Sequence, residues 1–168
     1  MRARGFTLIE LLVAIAIIAV LALAVGLGLS GLGGTRELER QAERLQAHLA
    51  WACETAELDG RSVGLRQTEQ GYAFLERRPD GWRTLRKQAA LTSYRLPAGV
   101  ELRLQRDGAW LQPAPASSSG AAPQLACFPS GDMTPFVAIL RGDGADRRYR
   151  LRGDAAGALT LDTLDVAP

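Results

Sequence analysis

The chain begins with MRARGFTLIELLVAIAIIAVLALAVGLGL, residues 1–29, and this stretch determines the architecture of the rest. Between Leu11 and Leu29 it holds 19 consecutive residues without a charge, most of them apolar. At about 1.5 Å of rise per residue, a helix of this length spans roughly 28 Å, close to the hydrocarbon thickness of a bilayer. Arg2 and Arg4 precede the apolar run, so the positive-inside rule predicts a cytoplasmic N-terminus.

Two simple explanations of the apolar run are incomplete. Ala22, Leu23 and Ala24 resemble the A-x-A cleavage site of a secretory signal, but the run exceeds the ~7–15 residues of a signal core. A plain single-pass anchor explains the length of the run and the arginines, yet it leaves Glu10 unexplained. A carboxylate deep in a spanning segment costs on the order of 2.5–3.5 kcal/mol, so Glu10 is a functional candidate.

The residues before Glu10 account for it. The stretch from Gly5 to Glu10, Gly-Phe-Thr-Leu-Ile-Glu, resembles the prepilin cleavage motif of type IV pilins and type II secretion pseudopilins. The resemblance implies that a prepilin peptidase cuts after Gly5 on the cytoplasmic side and methylates the new N-terminal residue, Phe6. It also implies that the amine of Phe6 pairs with Glu10 of a neighbouring subunit in a filament, since a buried charge is tolerable when paired.

Composition and spacing divide the chain into five predicted segments. They are a leader at 1–5, a transmembrane helix at 6–29, a Gly-rich break at 30–34, an amphipathic helix at 35–58 and a periplasmic β domain at 59–168. Apolar residues that recur at intervals of three and four indicate the amphipathic helix. They are Leu38, Ala42, Leu45, Leu49, Ala52 and Ala56. This stripe predicts a helix face that packs on the protein's own sheet.

Turn residues divide the β domain into short apolar segments that are typical of strands. We expect strands at 61–67, 71–77, 82–87, 100–106, 110–111, 124–128, 136–141, 147–152 and 158–164. Residues 113–123, which are rich in Pro, Ala and Ser, predict a flexible loop among them. A helix followed by many antiparallel strands indicates an α+β fold, as in pilins.

Later segments narrow the family resemblance. The stretch LACFPSGDMTPF at 125–136 resembles the C-terminal half of the minor pseudopilin H family. Four earlier stretches resemble the family's helix end and first hairpin. They are AERL at 42–45, ELDGR at 57–61, VGLR at 63–66 and GYAF at 71–74. The resemblance implies a minor subunit near the tip of a type II secretion pseudopilus, needed to export folded exoproteins across the outer membrane.

The same resemblance implies partners and a location. The implied partners are the prepilin peptidase, the major pseudopilin, other minor pseudopilins and the inner-membrane platform. The protein would be held in the inner membrane of a Gram-negative cell by residues 6–29, with its β domain in the periplasm. We expect no enzyme activity, cofactor, metal or small-molecule substrate, because the chain holds no GxSxG, HExxH or phosphate-loop motif and no Cys/His cluster. His48 is expected on or just below the helix surface, and Asp132 in a turn.

A minor type IV pilin that binds DNA during uptake is the alternative function. The run RRYRLR at 147–152 would place Arg148, Arg150 and Arg152 on one face of a strand, where they could hold a phosphate backbone. The same arginines fit a solvated edge strand that is protected by its charge. Without its leader the chain carries 18 basic and 18 acidic side chains, so we do not expect a nucleic-acid partner.

The two cysteines leave two possibilities open. An oxidising periplasm would permit a disulfide between Cys53, on the predicted amphipathic helix, and Cys127, on a predicted strand. Two separate buried thiols, with Cys127 between Ala126 and Phe128, are the alternative.

Overall fold

A long helix and two β-sheets make up the structure, a computed structural model of the chain. It describes residues 8–85, 93–115 and 122–165, with residues 22–33 described by their backbone alone. Helix α1 runs Leu8–Asp59. The strands are β1 Val63–Thr68, β2 Gly71–Arg78, β3 Gly81–Thr84, β4 Ser93–Arg95, β5 Val100–Arg106, β6 Ala109–Trp110, β7 Leu125–Cys127, β8 Phe136–Gly142, β9 Arg147–Gly153 and β10 Leu159–Asp165.

Helix α1 contains 52 residues and continues through the Gly-rich segment 30–34. Glycine favours a break there because each one destabilises a helix interior by about 1 kcal/mol relative to alanine. That cost does not end the helix, since glycine keeps its backbone N–H donor and helix-forming sequence lies on both sides. The predicted break is therefore wrong, and the two predicted helices form one helix about 78 Å long.

Of the predicted transmembrane helix at 6–29, the structure describes the side chains of residues 8–21. Among the residues whose side chains the structure describes, no helical stretch is both long enough and apolar enough to cross a bilayer. The predicted leader at 1–5 and Phe6 lie outside the described residues.

The C-terminal half of α1 packs on the sheets through a single stripe. All the residues with the three-and-four spacing are buried, at no more than 2% exposure. They are Leu38, Ala42, Leu45, Leu49, Ala52 and Ala56. The charged residues between them, such as Glu39 and Glu43, lie in solvent. The predicted stripe is confirmed, and it places the hydrophobic core between α1 and the β domain.

Both sheets are antiparallel and both contact this helix. The first has the order β3-β2-β1-β7, with β4 also paired to β2, and the second has the order β10-β9-β8-β5-β6. Strands β1 and β7 of the first sheet contact α1, as do β8, β9 and β10 of the second. An N-terminal helix followed by antiparallel sheets confirms the predicted α+β class.

The positions of most strands follow from the alternation of apolar residues. Strand β5 has the predicted bounds, whereas β4 is not predicted, because Ser93–Arg95 carries too few apolar residues to show alternation. The predicted loop at 113–123 is described at its two ends alone. Near its start, the amide of Ala114 donates a hydrogen bond to the Gln67 carbonyl at 2.9 Å, which holds that end of the segment against β1.

The stripe predicts which helix substitutions destabilise the fold. Leu45→Ala removes a fully buried side chain, so the free energy of unfolding should fall by about 2–5 kcal/mol. Leu58→Ala is the matched control, because Leu58 is 79% exposed and its loss should change the value by no more than about 0.5 kcal/mol. Chemical denaturation of the detergent-solubilised full chain measures both. Equal effects would contradict the packing of this stripe.

Candidate assembly site

Glu10 lies in the first described turn of α1, on a helix segment whose side chains are exposed. The neighbours Ile9 and Leu11 are also exposed, as are the other large apolar residues as far as Leu21. A contiguous apolar surface of this size marks a contact with a membrane or with another protein. A carboxylate within such a contact requires a positive partner. The expected cleavage residues, Gly5 and Phe6, lie outside the described residues.

A disulfide joins the docked half of α1 to the first sheet. Cys53 and Cys127 are bonded, with their Cα atoms 4.9 Å apart, a separation typical of such bridges. The bond connects α1 to β7 beside the buried stripe. Of the two possibilities that the sequence leaves open, the structure contains the paired cysteines.

Aromatic and polar side chains pack along the other border of the stripe. We call Gln41, Arg44, His48, Tyr72 and Tyr94 the His48 cluster. His48 Nδ1 lies 3.0 Å from the Tyr72 hydroxyl, and the Tyr94 hydroxyl donates to Gln41 Oε1 at 2.8 Å. Arg44 donates to the Tyr94 hydroxyl, and its guanidinium carbon lies 5.1 Å from the centre of that ring. The cluster therefore fixes α1 against β2 and β4.

The sequence places His48 correctly but does not identify its partners. Tyr72 and Tyr94 face each other across β2 and β4, so both reach His48. Their contact depends on β4, which the alternation pattern does not predict. A Gly-Tyr sequence at the start of a strand is the one local signal for Tyr72, and it does not indicate a partner.

Burial favours the neutral forms of His48 and Tyr72 in this cluster. Burial lowers the pKa of His48 below its ordinary value of 6.5, and the positive charge of Arg44 lowers it further. A neutral imidazole has one acceptor nitrogen, so the Tyr72 hydroxyl can donate to Nδ1. Burial also raises the pKa of Tyr72, which keeps its proton. These features suit a structural contact between helix and sheet.

Strand β9 presents Arg148, Arg150 and Arg152 on its outer face, while Tyr149 and Leu151 between them are buried. The predicted shared face of the arginines is therefore present. The edge-strand placement is wrong, because β9 pairs with both β8 and β10. The alternating Tyr and Leu give the strand a core-facing side, so its charges can project outward from the middle of a sheet.

Asp162 of β10 partly neutralises this row. Its Oδ2 atom lies 3.2 Å from the Arg150 guanidinium and 2.9 Å from that of Arg152. A phosphate that approached these two arginines would meet the Asp162 carboxylate. The geometry therefore favours a structural ion-pair network over a groove for a phosphate backbone.

Asp132 lies in the turn that follows β7. The amide of Phe128 donates to the Asp132 carbonyl at 2.8 Å, and Gly131 between them has a φ of 88°. The Ser130 hydroxyl donates to the Asp132 carboxylate at 2.8 Å. Within residues 8–85, 93–115 and 122–165, no group of three or more His, Cys, Asp or Glu side chains could hold a metal ion. Asp132 thus occupies the predicted turn.

Two family models match the chain. The prokaryotic N-terminal methylation motif matches residues 1–26. The type II transport protein GspH matches residues 41–157, which include the buried helix stripe from Ala42 onward and β1 to β9. The chain belongs to the GspH family. Strand β10, which lies beyond this match, pairs with β9 at the edge of the second sheet.

Curated relatives in the GspH family cover nearly the whole chain. The type II secretion system protein H of Aeromonas hydrophila is 33% identical over 171 residues, which cover 95% of this chain and 93% of the relative. The protein of the same name from Pseudomonas aeruginosa is 37% identical over 157 residues, which cover 86% and 87%.

Solved structures in the GspH family share the fold. Two structures of the minor pseudopilin EpsH from the type II secretion system of Vibrio cholerae match with TM-scores of 0.63 and 0.64 and identities of 27% and 26%. They cover 74% and 76% of this chain and 94% of each matched chain. The solution structure of E. coli GspH matches with a TM-score of 0.56 at 21% identity and shares the fold. Family and fold together support a minor pseudopilin role in type II secretion.

The disulfide predicts a redox-dependent stability for this GspH-family protein. Denatured, unreduced protein should contain no free thiols, which a thiol count measures directly. The double change Cys53→Ala and Cys127→Ala should lower the free energy of unfolding by about 4 kcal/mol, because the bond closes a long loop. A reductant should destabilise the natural protein and leave the double variant unchanged. Two reactive thiols in the natural protein would contradict the bond.

The His48 cluster predicts a pH dependence of stability. The unfolded chain protonates His48 at its ordinary pKa of 6.5, whereas the folded protein does so at a lower pH. Between these two values the unfolded state binds more protons, so the free energy of unfolding rises with pH, by at most about 1.4 kcal/mol per pH unit. His48→Gln should remove this contribution when unfolding is measured from about pH 5 to about pH 8. Parallel profiles for both proteins would contradict the shift.

Proposed function

We propose that the chain is synthesised as a prepilin, cut after Gly5, methylated on Phe6, and assembled through α1 near the tip of a type II secretion pseudopilus. The observation that carries this proposal is Glu10 on an exposed apolar helix that begins within the methylation motif. The GspH match over the docked helix and the β domain supports the same assignment. The role is structural and involves no catalysis.

Glu10 sets the position of the subunit in the filament. Cleavage after Gly5 creates a positive amine on Phe6, close in sequence to Glu10. When helices pack side by side, the Glu10 carboxylate of one subunit pairs with the Phe6 amine of its neighbour. Because an unpaired charge is strongly unfavourable in an apolar contact, this pairing selects one axial register between subunits.

Before assembly the protein is held in the inner membrane by residues 6–29. Arg2 and Arg4 keep the N-terminus in the cytoplasm, where the prepilin peptidase acts. The β domain then lies in the periplasm, and its Cys53–Cys127 bond is compatible with that oxidising compartment. The partners are the inner-membrane platform, the major pseudopilin and other minor pseudopilins.

During assembly the N-terminal half of α1 would move out of the membrane. Because α1 is continuous, this movement would carry the β domain along. The helix enters the domain without a break at 30–34, and its buried stripe and the disulfide both attach it to the sheets. A displacement of the N-terminal half along the filament axis is therefore transmitted to both sheets. The β domain would face outward from the filament.

The proposal predicts that Glu10 is required for secretion. In a deletion strain, Glu10→Gln should lower exoprotein release by at least about tenfold, because the loss of one member of a buried ion pair costs about 3–5 kcal/mol. Glu10→Asp keeps the charge and should restore part of the release. Glu54→Gln, on the exposed face of the docked helix half, is the control and should secrete normally.

Two further measurements test the cleavage of the chain and the choice between a type II secretion system and a type IV pilus. Mass spectrometry of the membrane-extracted protein should give the mass of a chain that starts at methylated Phe6, for the natural protein and for Glu10→Gln alike. A full-length mass, or a start near Val25, would contradict the cleavage proposal. Normal secretion together with lost twitching or DNA uptake in the deletion strain would assign the protein to a type IV pilus instead.

A further inference from the structure

The outer side of the second sheet carries a concentration of arginines on β5, β8 and β9. We call this set the arginine face, and it consists of Arg103, Arg141, Arg148, Arg150 and Arg152. On the same strands, the alternate residues point into the hydrophobic core and are buried, for example Leu104, Leu140 and Leu151. The arginines therefore share the side of the sheet that faces away from the core.

The pairing of the strands arranges these side chains in two dimensions. Arg103 lies opposite Ile139, Ile139 opposite Arg150, and Arg150 opposite Asp162, so one row crosses four strands. Arg148 and Arg152 lie two positions to either side of Arg150 on β9. The centre of the array is thus a half-exposed isoleucine surrounded by guanidinium groups.

The array carries a surplus of positive charge. The outward positions of the four strands hold five arginines and two carboxylates, Glu101 and Asp162, a surplus of three. Arg141 Nε donates to Glu101 at 2.6 Å, and Asp162 pairs with two arginines of β9. Among the residues that the structure describes, no carboxylate lies within ion-pair distance of Arg103 or Arg148. Within the described part of the chain, these two are therefore the arginines of the face that have no ion-pair partner.

Arg103 is held in place by an exposed aromatic ring. Its guanidinium carbon lies 4.5 Å from the centre of the Trp110 ring, and the Trp110 side chain is 44% exposed. An arginine fixed by stacking loses little rotamer entropy when it binds, and its N–H groups match a carboxylate in a bidentate geometry. Arginine and tryptophan beside an apolar centre are the residue types that dominate binding energy in protein interfaces.

We propose that the arginine face docks an acidic surface of a second folded protein, whose carboxylates bind Arg103 and Arg148 around an apolar contact at Ile139. A phosphate backbone fits less well, because it carries a negative charge at every unit and would bring some of them against Asp162 and Glu101, whereas a protein surface can place uncharged side chains there. Four strands at a spacing of about 4.8 Å form a face smaller than a standard interface, so the contact is weak and sensitive to salt. The docking does not depend on the role proposed for Glu10.

Photocrosslinking of the full chain in its own cells tests this docking. A benzophenone side chain replaces Ile139 in one strain and Thr84, which is exposed on the first sheet, in a control strain. Position 139 should give an adduct with one protein, and mass spectrometry should place the crosslink in a peptide that carries several Asp or Glu residues. Position 84 should not give this adduct.

A matched pair of double variants tests the charge. Arg103→Gln with Arg148→Gln should lower the adduct by about tenfold, as expected for the loss of two charged contacts. Arg61→Gln with Arg77→Gln removes the same charge elsewhere, and Arg77 stacks on Trp82 as Arg103 does on Trp110. This control should leave the adduct unchanged. Arg148→Glu alone should lower the adduct. Exchanging a carboxylate in the partner's crosslinked peptide for arginine should restore the adduct in the Arg148→Glu strain.

Three crosslinking results would overturn the proposal. They are the absence of an adduct at position 139, an adduct that both double variants leave unchanged, and a crosslinked peptide without carboxylates. Binding of a short DNA duplex to the detergent-solubilised full chain, lost in Arg103→Gln with Arg148→Gln and kept in the control, would assign the face to nucleic acid instead. Crosslinking and DNA binding are measured independently of secretion. The docking proposal can therefore be judged even if the Glu10 proposal fails.

Discussion

The burial of the α1 stripe around Leu45 is the interaction on which the two-sheet architecture depends. Each sheet has an apolar face that packs on the helix, and the first sheet contacts the helix through β1 and β7. The second sheet contacts the same helix through β8, β9 and β10. Because the sheets meet the same helix, the orientation of one relative to the other is set by side chains of α1. The disulfide and the His48 cluster hold the two borders of this contact.

Most apolar side chains of α1 are covered by the protein in its C-terminal half and exposed in the described part of its N-terminal half. From Leu38 onward its apolar residues lie on one face and are covered by the sheets. From Leu8 to Leu21 its large apolar residues are exposed around the helix, and Glu10 lies among them. The free energy of the N-terminal half therefore depends on surroundings that the monomer does not provide. This division agrees with a family whose members act as filament subunits.

Features encoded in local periodicity could be predicted from the sequence, and features that depend on the order of strands could not. The stripe and the bounds of β5 follow from spacing alone, and Glu10 is identified by the cost of its position. The helix through 30–34 differs from the expectation because neighbouring turns outweigh the local preference of glycine. The central position of β9 and the Tyr94 contact depend on pairings with β8, β10 and β2, which no segment specifies by itself.

The bond between Cys53 and Cys127 has a topological consequence. These residues are 74 positions apart, and β1 to β6 all lie between them, so the bond closes this part of the chain into a covalent ring. Strands β8 to β10 lie outside the ring, yet β8 pairs with β5 within it. A protease that cuts once between residues 54 and 126 opens the ring without releasing a fragment. A nicked molecule therefore keeps its N-terminal helix attached to every strand until the bond is reduced.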